Sequence, residues 1–181
     1  MASTQKKAVL RMHDGYWLAG YLPAAGFIRR GLSPGPNPDA LELLDLSARR
    51  QIIPLATLKW ACFVRDFNSG EPANPERLLR TTFSGRPRLA GIWLRMTLKD
   101  ESVLEGVAAN DLTLLDPAGL LITPPDTRSN TQRIFLPRSG IAELTIVSVI
   151  GASNAVTGKR KPPVSARQQG DLFPAAAPRA L

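Results

Sequence analysis

Two separated stretches of this chain repeat one pattern in one order, and that repetition limits the fold more than composition does. Lys6 to Met12 alternates apolar and polar side chains, turns at His13-Asp14-Gly15, and returns through Tyr16-Trp17-Leu18-Ala19-Gly20-Tyr21. Ala90 to Leu98 alternates in the same way, turns at Lys99-Asp100-Glu101, and returns through Val103-Leu104-Glu105-Gly106-Val107. Alternation with period two is the mark of a half-buried strand, and a short Asp turn between two such runs predicts a hairpin. A constant shift places Leu10 on Met96, Asp14 on Asp100, Leu18 on Leu104 and Gly20 on Gly106. Further on, Ile52-Ile53-Pro54 matches Phe135-Leu136-Pro137, and Ala61 and Phe63 then fall on Leu144 and Ile146. The chain therefore reads as an internal duplication of one small β unit.

Between these landmarks the elements are short. Pro23 to Pro38 is a Gly/Pro-rich loop, and Ala40 to Leu46 is a strand candidate. Pro54 splits the apolar run from Ile52 to Phe67 into two strands, because proline removes a backbone donor. Asn74-Pro75 is placed to cap one short helical turn over residues 75–80, with proline at its first position. A sheet of about five short bent strands buries one face and hides its edges by closing on itself. The expected fold is thus mainly β: two tandem small β-barrels at residues 6–67 and 88–150, joined by a linker at 68–87. Residues 151–181 are rich in Ala, Pro and Arg and nearly free of β-branched and aromatic side chains. Such a segment buries too little apolar surface to offset its ordering entropy, and is expected to be a disordered tail.

Composition removes several function classes. One cysteine, Cys62, and one histidine, His13, leave no disulfide framework and no Cys/His metal site. No cofactor is expected, since no phosphate-cradling glycine loop, catalytic triad or metal-ligand spacing is present. The chain is read as non-enzymatic. No apolar run approaches the roughly 20 residues of a membrane span, and the N-terminal Lys6-Lys7 is not followed by an uninterrupted apolar region, so a cytoplasmic protein is expected. The net charge of +8 suggests an acidic partner such as nucleic acid. Half of that excess lies in the tail, where Lys159, Arg160, Lys161, Arg167 and Arg179 face one acid, Asp171.

The repeat unit resembles the Sm-like and SH3-like small barrels. Asp14-Gly15-Tyr16-Trp17-Leu18-Ala19-Gly20 is similar to the Sm signature D-G-x-x-L-x-G, and Asp100 to Gly106 follows it more loosely, with Asn110-Asp111-Leu112-Thr113-Leu114 after it. That resemblance implies a closed barrel and RNA binding. The Arg-Gly or Lys-Gly with which Sm proteins hold bases is replaced here by Pro54-Leu55-Ala56 and Pro137-Arg138-Ser139-Gly140. Residues 6–150 as a whole also resemble an uncharacterised bacterial domain family of acidobacterial type. The matching segments are Asp14 to Tyr21, Phe63-Val64-Arg65-Asp66-Phe67, and Pro124 to Phe135. That resemblance implies no activity.

Three sets of residues are candidates for contact with a partner. Arg29, Arg30, Arg49, Arg50, Arg128 and Arg133 are the cations an Sm-like RNA binder would use, since guanidinium groups make bidentate phosphate contacts. Asp126, Ser129, Asn130 and Arg133 form a dense polar cluster. Its first reading is a set of turn caps with Arg133 paired to Asp126, and its second is an anion site. In the tail, Gln169-Gly170-Asp171-Leu172-Phe173 resembles the bacterial sliding-clamp-binding motif, Q-L-[S/D]-L-F. That resemblance implies that Leu172 and Phe173 anchor in an apolar pocket, with Gln169 and Asp171 beside them. The expected function is a binding or adaptor protein recruited to the DNA sliding clamp. The alternatives are an Sm-like nucleic-acid binder and a protein-interaction scaffold.

Overall fold

The computed structural model describes residues 5–31, 39–67, 71–126 and 128–151. The tail that the sequence predicts to be disordered, apart from Gly151, and the clamp-like motif at Gln169, Asp171, Leu172 and Phe173 lie outside the described residues. Among the described residues eleven strands form one antiparallel sheet: β1 (Gln5–Met12), β2 (Trp17–Pro23), β3 (Ile28–Arg29), β4 (Ala40–Asp45), β5 (Arg50–Pro54), β6 (Leu58–Val64), β7 (Gly91–Leu98), β8 (Val103–Ala108), β9 (Gly119–Thr123), β10 (Thr131–Pro137) and β11 (Ile141–Ile150).

The two hairpins are built as the sequence predicts. Asp14 Oδ1 accepts from the amide of Tyr16 at 2.9 Å, and Asp100 Oδ1 accepts from the amide of Ser102 at 3.2 Å. The residue after each Asp takes a left-handed conformation, Gly15 at φ 86° and Glu101 at φ 64°. Short Asp side chains favour such turns because they bond their own backbone two residues on. Pro54 and Pro137 each end a strand, and each leads through one 3-10 turn (Leu55–Thr57, Arg138–Gly140) into the next.

The ladders repeat with the hairpins. In the first half β6 pairs β1, β1 pairs β2, β2 pairs β4 and β4 pairs β5. In the second, β11 pairs β7, β7 pairs β8, β8 pairs β9 and β9 pairs β10. The two expected barrels are not shown as separate closed units. The sheet is open, and β6 pairs β10 across the halves, Cys62 opposite Ile134 and Ala61 opposite Phe135. The expected helical turn after Asn74 is also corrected. Asn74 Oδ1 does accept from the amide of Leu78 at 3.1 Å, but Arg77 sits at φ 51°, which no right-handed helix accommodates.

Because β6 and β10 are joined, the middle strands serve two cores. One core gathers Leu94, Met96, Leu104, Leu120, Ile122, Ile134 and Leu136 with Val9, Cys62 and Val64 from the first half. The other gathers Leu10, Leu22, Leu41, Leu43, Leu55 and Leu58 with Ala118 and Phe135 from the second. Successive side chains of a strand point to opposite faces. Val9 therefore enters one core while Ala8 and Leu10 enter the other.

Residues 71–89 are tied down by two buried carboxylates. Glu76, 3% exposed, takes Arg11 through Nη2 at 2.7 Å and Nε at 3.2 Å, and Trp60 Nε1 at 3.3 Å. Glu105, 1% exposed, takes Arg95 Nη2 at 2.7 Å, Trp93 Nε1 at 3.3 Å and the amide of Phe83 at 2.9 Å. Burial pushes the Glu105 carboxyl upward, but the Phe83 amide and the Arg95 guanidinium outweigh it and hold the group below the ordinary range.

Candidate binding groove

A groove of about 780 Å³ crosses the β6–β10 joint. Alternation supplies its walls. On β6, Cys62 and Val64 pack into a core, and Phe63, Val64 and Arg65, the residue just after the strand, line the groove. Arg133 lies opposite Phe63 on β10, Leu121 and Thr123 follow on β9, and Lys6 and Lys7 come from β1 on the other flank. Phe27 stacks edge-on against both Phe63 (5.4 Å) and Phe135 (5.3 Å), so the floor is aromatic and fixed. Edge-to-face packing of this kind favours a single ring arrangement.

The walls are cationic. Lys6, Lys7, Arg65 and Arg133 line the groove, and among the described residues no Asp or Glu does. Lys7 pairs with Asp66 at 2.6 Å on the exposed rim. With the Gln132 amide turned so that its oxygen faces Arg65, that oxygen accepts from Arg65 Nε and from Nη2 at 3.2 Å. Arg133 makes no ion pair among the described residues. A second hollow of about 350 Å³, sharing Leu89 and Thr123 with the first, adds Arg80, Arg86 and Arg88, again without an acid. The two together form a cationic trough with an apolar floor.

The other arginines singled out by sequence are placed differently. Arg29 and Arg50 both pair with Glu42, Arg49 pairs with Asp45, and Arg30 bridges Asp39 and Asp116. The Arg29 hydrogen bond, with the contribution of Arg50, holds the Glu42 carboxyl below its ordinary range. These four cations already face carboxylates and do not join the trough. The cluster after Pro125 is a set of turn clips, as its first reading has it. Asp126 accepts from the amide of Arg128 at 3.0 Å, and Ser129 Oγ donates to the Asp126 carbonyl at 2.7 Å. Asn130 bonds the backbone of Asp66 in both directions. Arg133 lines the groove instead of pairing with Asp126.

Sequence reading finds Arg133 but misses Lys6, Lys7, Phe27, Phe63 and Arg65 as parts of one surface. The available signal was the alternation at the end of β6, where half-buried Phe63 stands between buried Cys62 and Val64 and Arg65 follows directly. Burial raises the Cys62 thiol far above its ordinary range, which keeps it out of the nucleophilic thiolate form. Among the described residues no His/Cys/Asp/Glu group could hold a metal ion, and no helix is long and apolar enough to cross a membrane.

Residues 4–148 match the model of a family described as a family of unknown function (DUF6982). No curated protein and no solved structure matches the chain.

Proposed function

The chain belongs to this family of unknown function, which supplies no activity, and we propose from the trough that the protein is a non-enzymatic module that binds single-stranded nucleic acid. The observation that carries this reading is the lining of two hollows that share Leu89 and Thr123: Lys6, Arg65 and Arg133 around Phe27, Phe63 and Leu121 in one, and Arg80, Arg86 and Arg88 in the other, with no acid among the described residues of either lining. Phosphates attract such a lining without regard to sequence, and base faces pack on an apolar aromatic floor. Each half is taken here as one barrel-like unit of the Sm or SH3 kind, supported by the repeated pairing scheme. The nucleic acid would then lie across the joint between the two units.

Anisotropy with fluorescent single-stranded RNA and DNA tests this on the full chain. Binding is expected to weaken with salt, with a log–log slope of about −2 for three phosphate contacts. Lys6→Glu with Arg133→Glu is expected to lower affinity at least tenfold, while Arg29→Glu and Arg49→Glu change it little. Absence of binding to both oligonucleotides, or equal losses from all these variants, refutes the groove.

A second reading rests on the tail. Leu172-Phe173 is the one pair of large apolar residues in an Ala/Pro-rich segment, beginning three positions after Gln169 and next to Asp171. Recruitment to the bacterial sliding clamp through this motif would bring the trough to DNA, as an accessory of replication or repair. Purified clamp is expected to retain the full chain and to lose the Leu172→Ala/Phe173→Ala variant. Equal retention of both removes this reading and leaves the groove untouched.

A further inference from the structure

We propose that copies of this chain join head to tail, β11 of one copy adding its free edge to the free edge of β5 in the next. The argument starts from the joint inside the chain. There the last strand of the first half, β6, pairs with the penultimate strand of the second half, β10. Both halves contain the same pair of strands. β5 and β10 each precede a Pro-led 3-10 turn, and β6 and β11 each follow one. The internal joint uses β6 and β10 and leaves over one strand of each kind, β11 and β5. Among the described residues each is laddered on one side only, β11 to β7 and β5 to β4, as is the two-residue β3 to β4.

Exposure separates each leftover strand from its counterpart. On β6, Leu58, Ala61 and Cys62 are fully buried and Val64 is 7% exposed, whereas on β11 Leu144, Ile146 and Val149 are 40%, 62% and 59% exposed. On β10, Phe135 is 2% exposed, and its counterpart Ile52 on β5 is 51% exposed. A ten-residue outer strand with Glu143 as its single charge is the kind of edge that a monomer normally blunts with lysine, proline or a cover. The offset that equates the halves also carries the register across. Ala61 opposite Phe135 becomes Leu144 opposite Ile52, and Phe63 opposite Arg133 becomes Ile146 opposite Arg50. Two exposed apolar side chains, Leu144 and Ile52, thus meet.

The joint is heterologous, since it uses two different edges. Repeated, it closes into a ring where the rotation permits and extends as a filament where it does not. The halves already make one such step within each chain.

Light scattering during size exclusion of the full chain is expected to give a multiple of 19.6 kDa. Leu144→Lys with Ile146→Lys is expected to return it to the single-chain mass with an unchanged far-ultraviolet spectrum. Under mild oxidation the Ile52→Cys/Leu144→Cys variant is expected to give a ladder of linked chains. Neither single variant should do so, because Cys62 is buried. Three results overturn the proposal. One is a single-chain mass at micromolar and higher concentration. Another is a linked dimer from Leu144→Cys alone, which would mean β11 against β11. The third is a monomer whose β11 amides resist hydrogen exchange, which would assign that edge to the chain's own tail.

Discussion

Replacing Arg11 by Met removes the guanidinium from Glu76 and leaves the rest of the site standing. In the wild type the Glu76 carboxylate, 3% exposed, holds two guanidinium contacts, 2.7 Å at Oε2 and 3.2 Å at Oε1, with Trp60 Nε1 at 3.3 Å. Arg11 also donates to the carbonyls of Gly15 (3.2 Å) and Ala73 (3.1 Å). After substitution the buried carboxylate keeps one neutral donor. Breaking a buried pair from one side costs about 3–5 kcal/mol, because the remaining charge is left uncompensated. Against a total stability of about 5–15 kcal/mol, this is a large fraction. The double substitution Arg11→Met/Glu76→Leu removes the orphaned charge and is expected to recover most of that loss. Urea unfolding of the wild type, both single variants and the double variant closes a cycle whose coupling term isolates the pair. The reasoning is refuted if Arg11→Met costs under about 1 kcal/mol, or if the double variant is as unstable as the two singles added together. Glu76 also accepts Thr131 Oγ1 on its backbone carbonyl at 2.6 Å, so failure of this site should be felt in the second half as well.

Two further predictions concern the second hairpin. Hydrogen bonds from Lys59 and then Ser102 lower the Asp100 carboxyl from its ordinary value to about 2. A depressed carboxyl contributes stability above its unfolded value, near pH 4, and that contribution is lost as pH falls through about 2. Asp100 is 44% exposed, so the contribution is screened, and Asp100→Asn should cost about 1 kcal/mol at pH 7 and almost nothing at pH 2, read from urea midpoints. Gly106→Ala would set a Cβ into the side chain of Ile122 on β9. Overpacking of that kind costs about 1–3 kcal/mol, and a melting temperature equal to wild type would show that β8 and β9 can separate at no expense.

The local parts of this fold are legible in the sequence because local rules produce them. Asp14 and Asp100 read as hairpin turns from their own chemistry, and Pro54 and Pro137 read as strand breaks from the missing donor. The Leu-x-Gly repeat is legible as a pattern, and the structure supplies its cause. Gly20 lies against the Leu44 carbonyl and Gly106 against Ile122, where a Cβ has no room. What is not legible is non-local. Alternation tells that β6 has two faces but not that β10 stands beside it, so a closed first unit is the natural expectation. Glu76 and Glu105 look like solvated charges in sequence, since their partners Arg11 and Arg95 carry no spacing signal. The groove is hidden for the same reason: Lys6, Phe63, Arg133 and Thr123 come from four strands, and register alone aligns them. Arg29, Arg30, Arg49 and Arg50 mislead in the opposite sense, because the acids that occupy them are brought in by folding.

The sharing of β1, β6 and β10 between two cores bears on how this protein can change over time. A substitution at Val9 or Cys62 is judged by the second half's interior although it lies in the first half's sequence. Phe135 is answerable in the same way to the first half. The two halves thereby hold parts of each other's interiors, and a change in the central strands of one is felt in the packing of the other.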